Sequence, residues 1–206
     1  LHVTSRVPTI GEPTALLVDR KAHRLIATED NADRLAFVDT QSGRLVAEPR
    51  LLLPAALAAP PLGKGLNPNG LAVLPDGRLL VTLGGINALA VVDPSARENP
   101  VEGLIPTGWY PSAVATSADG RHVFVVNRKS PPGPNPKGCA PELAIYRGQP
   151  NACDAANQYI YQLEKAGLLD FPLPEQHALA MATIQVAANI GLPGPLDRDA
   201  ADARMA

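Results

Sequence analysis

The sequence predicts an all-β chain: a partial β-propeller of about three four-stranded blades, with a short C-terminal helix. Three observations carry this. Similar stretches recur at periods of about 40 to 55 residues, the range of propellers and other arrays. Within each stretch short apolar runs alternate with period two, as strands do. Asp-Gly pairs fall at one fixed place between such runs, where a tight hairpin needs residues that tolerate positive φ.

The repeat is plain when the chain is laid on itself. Asn67-Pro68, followed by Asp76-Gly77-Arg78, recurs 43 residues later as Tyr110-Pro111, followed by Asp119-Gly120-Arg121. Glu12-Pro13 opens a third copy, and Val7-Pro8-Thr9 precedes it as Ile105-Pro106-Thr107 precedes Pro111, 98 residues on. Each copy offers an inner strand, a hairpin, a second strand, a third ending in Asp39 or Asp93, and a fourth before the next proline. A β-sandwich would also give short strands, but gives no reason for the same sequence to recur.

The third copy departs from this plan. After Asn127 comes a Pro/Gly-rich stretch, Ser130 to Gly138, that cannot pair as a strand. The ladder is expected to resume at Tyr159–Leu163 and end at Leu168–Leu173. Pro172-Leu173-Pro174 then introduces a helix from Glu175 to Asn189, with Leu179, Thr183, Val186 and Ile190 on one face and Gly191 closing it. The expected division is propeller blades over 1–173, with an insertion at 127–157, a linker helix over 174–191 and a flexible tail over 192–206.

Composition removes several functions. Eighteen Lys and Arg against 20 Asp and Glu leave a formal charge of -2, without the basic excess that a nucleic-acid surface needs. No apolar run approaches a membrane span; the longest, Leu51 to Leu62, is broken by Pro54, Pro60 and Pro61. The chain opens Leu1-His2-Val3 without a charged-then-apolar signal peptide, and the absence of an initiating Met suggests a processed amino terminus or a fragment.

In a four-stranded meander the connections alternate between the two ends of the blade. The hairpins share one rim, and every long insertion falls on the other, where propeller function is expected. There Trp109 and Tyr110 lie beside Asn127, Arg128 and Lys129, a candidate aromatic and cationic binding patch. The alternative is that Trp109 fills a gap between blades while Arg128 and Lys129 are solvated. Cys139 and Cys153, the only cysteines, stand 14 apart without further soft ligands. A disulfide is therefore expected before a zinc site, worth about 3 kcal/mol in an oxidising compartment. The four histidines have no partner at ligand spacing, and Asp30-Asn31-Ala32-Asp33 reads as an Asx-rich turn before a cation site. No catalytic residue, metal or cofactor is assigned.

Ala36-Phe37-Val38-Asp39 with Ser42-Gly43, and Pro75-Asp76-Gly77-Arg78, resemble the YVTN-type repeat of bacterial β-propellers. Ile105-Pro106-Thr107-Gly108-Trp109-Tyr110-Pro111 and the loop Gly133-Pro134-Asn135-Pro136-Lys137-Gly138 are similar to a subgroup in which the propeller precedes a phosphoesterase domain of the alkaline phosphatase superfamily. The resemblance spans about residues 5 to 190. It implies about seven blades, where this chain supplies about three. It also implies a metal-binding carboxylate and histidine set with a Thr or Ser nucleophile after the linker, a motif not found here. The resulting expectation is a non-catalytic scaffold or binding segment of a larger protein. The alternative is the propeller portion of a metal-dependent phosphoesterase whose catalytic domain is missing from this chain. Expected partners are that domain or further blades, with self-association possible through open blade edges. The expected location is periplasmic or secreted.

Overall fold

The structure, a computed structural model, describes residues 2–3, 5–54, 57, 65–96, 99–129 and 166–192. Its strands are β1 (Pro13–Asp19), β2 (Arg24–Glu29), β3 (Arg34–Asp39), β4 (Leu45–Ala47), β5 (Pro68–Val73), β6 (Leu79–Leu83), β7 (Ala88–Val92), β8 (Val101–Pro106), β9 (Pro111–Thr116), β10 (His122–Asn127) and β11 (Gly167–Pro172). They form three antiparallel sheets, ordered β1-β2-β3-β4, β5-β6-β7-β8 and β11-β10-β9. The inner strands β1, β5 and β9 lie side by side, so each sheet stacks on the next like one blade on another. The chain is a partial β-propeller.

The third sheet has three described strands. Gly167–Pro172 pairs directly with β10, while Tyr159–Leu163 lies outside the described residues, as do the Gly133–Gly138 loop, Cys139 and Cys153.

Local chemistry explains the regularity. Each hairpin turns on an Asp whose carboxylate takes a nearby amide: Asp76 accepts from Arg78 N at 3.0 Å and Asp119 from Arg121 N at 3.1 Å. Gly77 and Gly120 sit there at φ 95° and 70°, which glycine adopts without a Cβ penalty. The far hairpins repeat the device, with Asp39 accepting from Ser42 N and Asp93 from Ser95 N.

Packing separates the middle blade from its neighbours. Every residue of β6 and β7 is buried, because this sheet is covered on both faces. Leu79, Val81, Ala88 and Ala90 face the first blade; Leu80, Leu89 and Val91 face the third. Full burial of one such Leu or Val is worth about 1.5–3 kcal/mol. The first blade covers one face with Ile26, Leu35 and Phe37, while Leu16 and Val18 on its other face stay exposed.

The helix α1 (Gln176–Asn189) packs on β8 and closes the outer edge of the middle blade. Leu104 N donates to Thr183 Oγ1 at 2.8 Å, where a fifth strand would otherwise accept it. Thr183 Oγ1 in turn reaches Leu179 O at 2.8 Å and Leu104 O at 3.3 Å. Gly103 makes the approach possible, since a Cβ there would lie 2.5 Å from Leu179 Cγ.

Candidate functional site

The insertion rim is built on a repeated clamp. In the first two blades the second and third strands are joined by a 3₁₀ turn, Asp30–Ala32 or Gly84–Ile86, ending in an Asx residue at φ 53°: Asp33 or Asn87. Asn and Asp tolerate this left-handed conformation better than other chiral residues. Their side chains reach across to the chain entering the next blade. Asp33 accepts from the amides of Gly65, Leu66 and Asn67 at 2.9–3.1 Å; Asn87 Oδ1 accepts from Tyr110 N at 2.9 Å.

This clamp positions the aromatic pair. Tyr110, like its counterpart Asn67, is held at positive φ, here 57°. Arg128 N donates to Tyr110 O at 2.9 Å and Lys129 N to Trp109 O at 3.1 Å, so the β9–β10 pairing continues past the strand ends. The extension sets Lys129 Nζ 4.8 Å from the Tyr110 ring centroid and 5.8 Å from that of Trp109, both within cation–π range. Trp109 is 45% exposed, so it faces outward instead of filling a gap between blades.

The five residues singled out from the sequence thus divide. Trp109, Tyr110 and Lys129 form one patch through ring and ammonium. Arg128 is exposed and tied in by its backbone. Asn127 is buried against Gly108, where a Cβ would stand 2.8 Å from its Cγ, and its Oδ1 meets no hydrogen-bond partner among the described residues. It belongs under the patch, not on it.

Elsewhere the candidate groups are committed. Asp30 Oδ1 accepts from Asn67 Nδ2 at 2.7 Å, and Asp33 holds its three amides. His122 Nδ1 lies 3.2 Å from Asp170 Oδ1 across the β10–β11 pair, both half-exposed. Among the described residues no three His, Cys, Asp or Glu side chains are grouped to hold a metal ion, and no helix is long and apolar enough to cross a membrane.

The opposite, hairpin rim carries an open groove of about 740 Å³ lined by Asp19, Lys21, Arg24, Asp76, Gly77 and Ser117, among others. Its two carboxylates, Asp19 and Asp76, are paired. Arg24 Nη2 lies 3.1 Å from Asp19 Oδ2, with its guanidinium over the Phe37 ring at 5.3 Å. Burial pushes the Asp76 carboxyl up, but Arg78 Nη2 at 2.8 Å and the Arg78 amide outweigh it and hold that group below its usual range. The sequence pointed to the insertion rim; the groove lies where the three inner hairpins converge. The clamp residues Asp33 and Asn87 were legible as Asx positions 54 residues apart, though not as clamps.

No family model and no curated protein matches the sequence. Solved structures resemble it in part. Hydrazine synthase from Kuenenia stuttgartiensis is 20% identical, with a TM-score of 0.48 over 62% of this chain and 32% of its own. Virginiamycin B lyase from Staphylococcus aureus is 19% identical, with a TM-score of 0.40 over 55% and 33%. A putative 6-phosphogluconolactonase from Bacteroides uniformis is 14% identical, with a TM-score of 0.43 over 59% and 38%. The likeness is one of fold. The chain spans about a third of the length of these proteins.

Proposed function

We propose that this segment is a non-catalytic propeller scaffold whose insertion rim binds a partner protein through Trp109, Tyr110 and Lys129. One observation carries the reading: an ammonium lies over two neighbouring rings, one of them exposed, on a backbone fixed by Asn87. Large rigid aromatics held in place lose little entropy on binding, which is why such residues anchor interfaces. Covalent footprinting of the native protein from its source, read peptide by peptide, tests it. Trp109 and Lys129 should be modified several-fold less than in the isolated chain; equal modification would sink the proposal.

A second reading is favoured by the resemblance of residues 105–111 and 133–138: the segment is the propeller portion of a metal-dependent phosphoesterase, with α1 leading toward the catalytic domain. A native mass well above 21.6 kDa, with phosphatase activity lost on chelation, would support it. On either reading a Cys139–Cys153 bridge suits a periplasmic or secreted protein. Alkylation without reductant should then label neither cysteine. Self-association through the open blade edges should appear as a concentration-dependent mass in solution.

A further inference from the structure

The second strands of the three blades end at equivalent places, each opposite the proline that opens its blade: Glu29 opposite Pro13, Leu83 opposite Pro68, Asn127 opposite Pro111. In the middle blade the position is filled by an apolar side chain. In the first it is a carboxyl group with 0% exposure. Among the described residues neither Glu29 oxygen has a hydrogen-bond donor at full bonding geometry, and neither does Oε1 of Glu48, which is also shut away from solvent.

Glu48 lies on the chain just past β4, which continues the edge of the first sheet. Arg34 Nη1 donates to its carbonyl at 2.8 Å, Leu35 N to Pro49 O at 3.1 Å, and Leu51 N to Asp33 O at 2.7 Å. Two carboxylates in a water-poor site cannot both keep their charge; a shared proton turns their repulsion into a hydrogen bond. We infer that Glu29 and Glu48 form a proton-held latch, fastening residues 48–51 to the end of the first blade. This is independent of the partner-binding reading, which rests on the third blade.

Burial raises the Glu29 carboxyl above its ordinary 4.5, and the hydrogen bond and charge of Glu48 raise it further; the amides of Ile10 and Gly11 pull the other way. The other charged groups around it are Arg34, opposite Glu29 on β3, and Arg50, bridged to Arg34; Asp30, next in the chain, is bonded to Asn67. The N-terminal strap contributes main-chain amides there, while the Glu12 side chain is exposed. A folded-state value above the unfolded one stabilises fully below about pH 4.5, and that stability is lost as pH rises through the elevated value. The segment released leads through Leu51 and Leu53 toward the residues that Asp33 clamps, so deprotonation loosens the first blade junction.

Thermal unfolding and hydrogen exchange of the whole chain from pH 4.5 to 8.5 test the latch in wild type, Glu29→Gln, Glu48→Gln and Glu29→Leu, the last copying Leu83. The wild-type Tm should fall with pH relative to Glu29→Gln and Glu29→Leu, by roughly 3–5 °C for each pH unit of Glu29 displacement, and Glu48→Gln, which keeps the buried Glu29 carboxyl, should fall less steeply than wild type. Protection of the Leu51 amide, corrected for intrinsic exchange, should fall about tenfold for each such unit in wild type, less in Glu48→Gln and not in the Glu29 variants. Should Glu29→Gln fail to fold, Glu48→Gln and Glu29→Leu still carry the comparison. Variants that keep the wild-type pH slope overturn the latch. So does a wild-type Tm at pH 8 that millimolar Ca²⁺ restores, which would make the pair a cation site.

Discussion

Where the first blade meets the second, Asp33 gathers three amides of the incoming chain; where the second meets the third, Asn87 gathers one. The backbone plan is the same, with both Asx residues at φ 53° and the next residue pair bonded alike: Gly84 N to Asn67 O, Arg128 N to Tyr110 O. The difference follows the length of chain to be held. The strands β8 and β9 are joined by four residues, whereas twenty separate β4 from β5. A longer connection loses more entropy when its end is fixed. A carboxylate, with about four acceptor sites, can fix more amides than a carboxamide oxygen can. The consequence is visible one residue on. Leu66 is 4% exposed beneath its three anchors, while its counterpart Trp109 turns outward.

Breaking the two clamps is the sharpest way to test that comparison. Asp33→Ala strands three amides, of which Leu66 N is in a buried bond, and should cost about 3–5 kcal/mol, or roughly 10 °C or more in Tm. Asn87→Ala strands one partly exposed amide and should cost about 1 kcal/mol beyond the positive-φ strain common to both substitutions. Equal losses in urea unfolding would mean that the number of amides held does not set the strength of a junction.

The helix contact gives an intermediate effect. Thr183→Val keeps the shape but leaves Leu104 N–H buried without an acceptor, and should cost about 1–3 kcal/mol. Hydrogen exchange at Leu104 should accelerate more than at Val81; uniform acceleration would show that α1 does not protect the blade edge.

The smallest effect lies at the far hairpins. Ser95 Oγ donates to Asp93 Oδ1 at 2.6 Å, and this bond, with the Ser95 amide, holds the Asp93 carboxyl below its ordinary 3.8. The stabilisation is present above about pH 3.8 and lost as pH falls through the lowered value, the opposite sense to Glu29. In Ser95→Ala the carboxyl should titrate closer to 3.8 by NMR, with a stability change near the limit of detection because the group is largely exposed. An unchanged titration would assign the shift to the amide alone.

The sequence by itself determined the parts of this protein that depend on neighbours a few residues apart. Period-two runs mark the strands, Asp76-Gly77 and Asp119-Gly120 their hairpins, and the 43- and 98-residue matches their repetition. The face of α1 could be read the same way, from Leu179, Thr183 and Val186. What each strand end touches was decided only by the stacking of the sheets. Glu29 and Leu83 are equivalent in sequence, yet one faces a second carboxyl and the other an apolar core. Asp33 reads from local sequence as a turn residue; the fold brings it amides from 32 to 34 residues away. Thr183 looked like one more residue on an apolar face, and its hydroxyl closes a sheet edge 79 residues upstream. Alternation and turn chemistry act over single residues and leave their mark in local sequence. Clamps, latches and edge covers depend on which surfaces the stacked blades press together, and no local pattern encodes that.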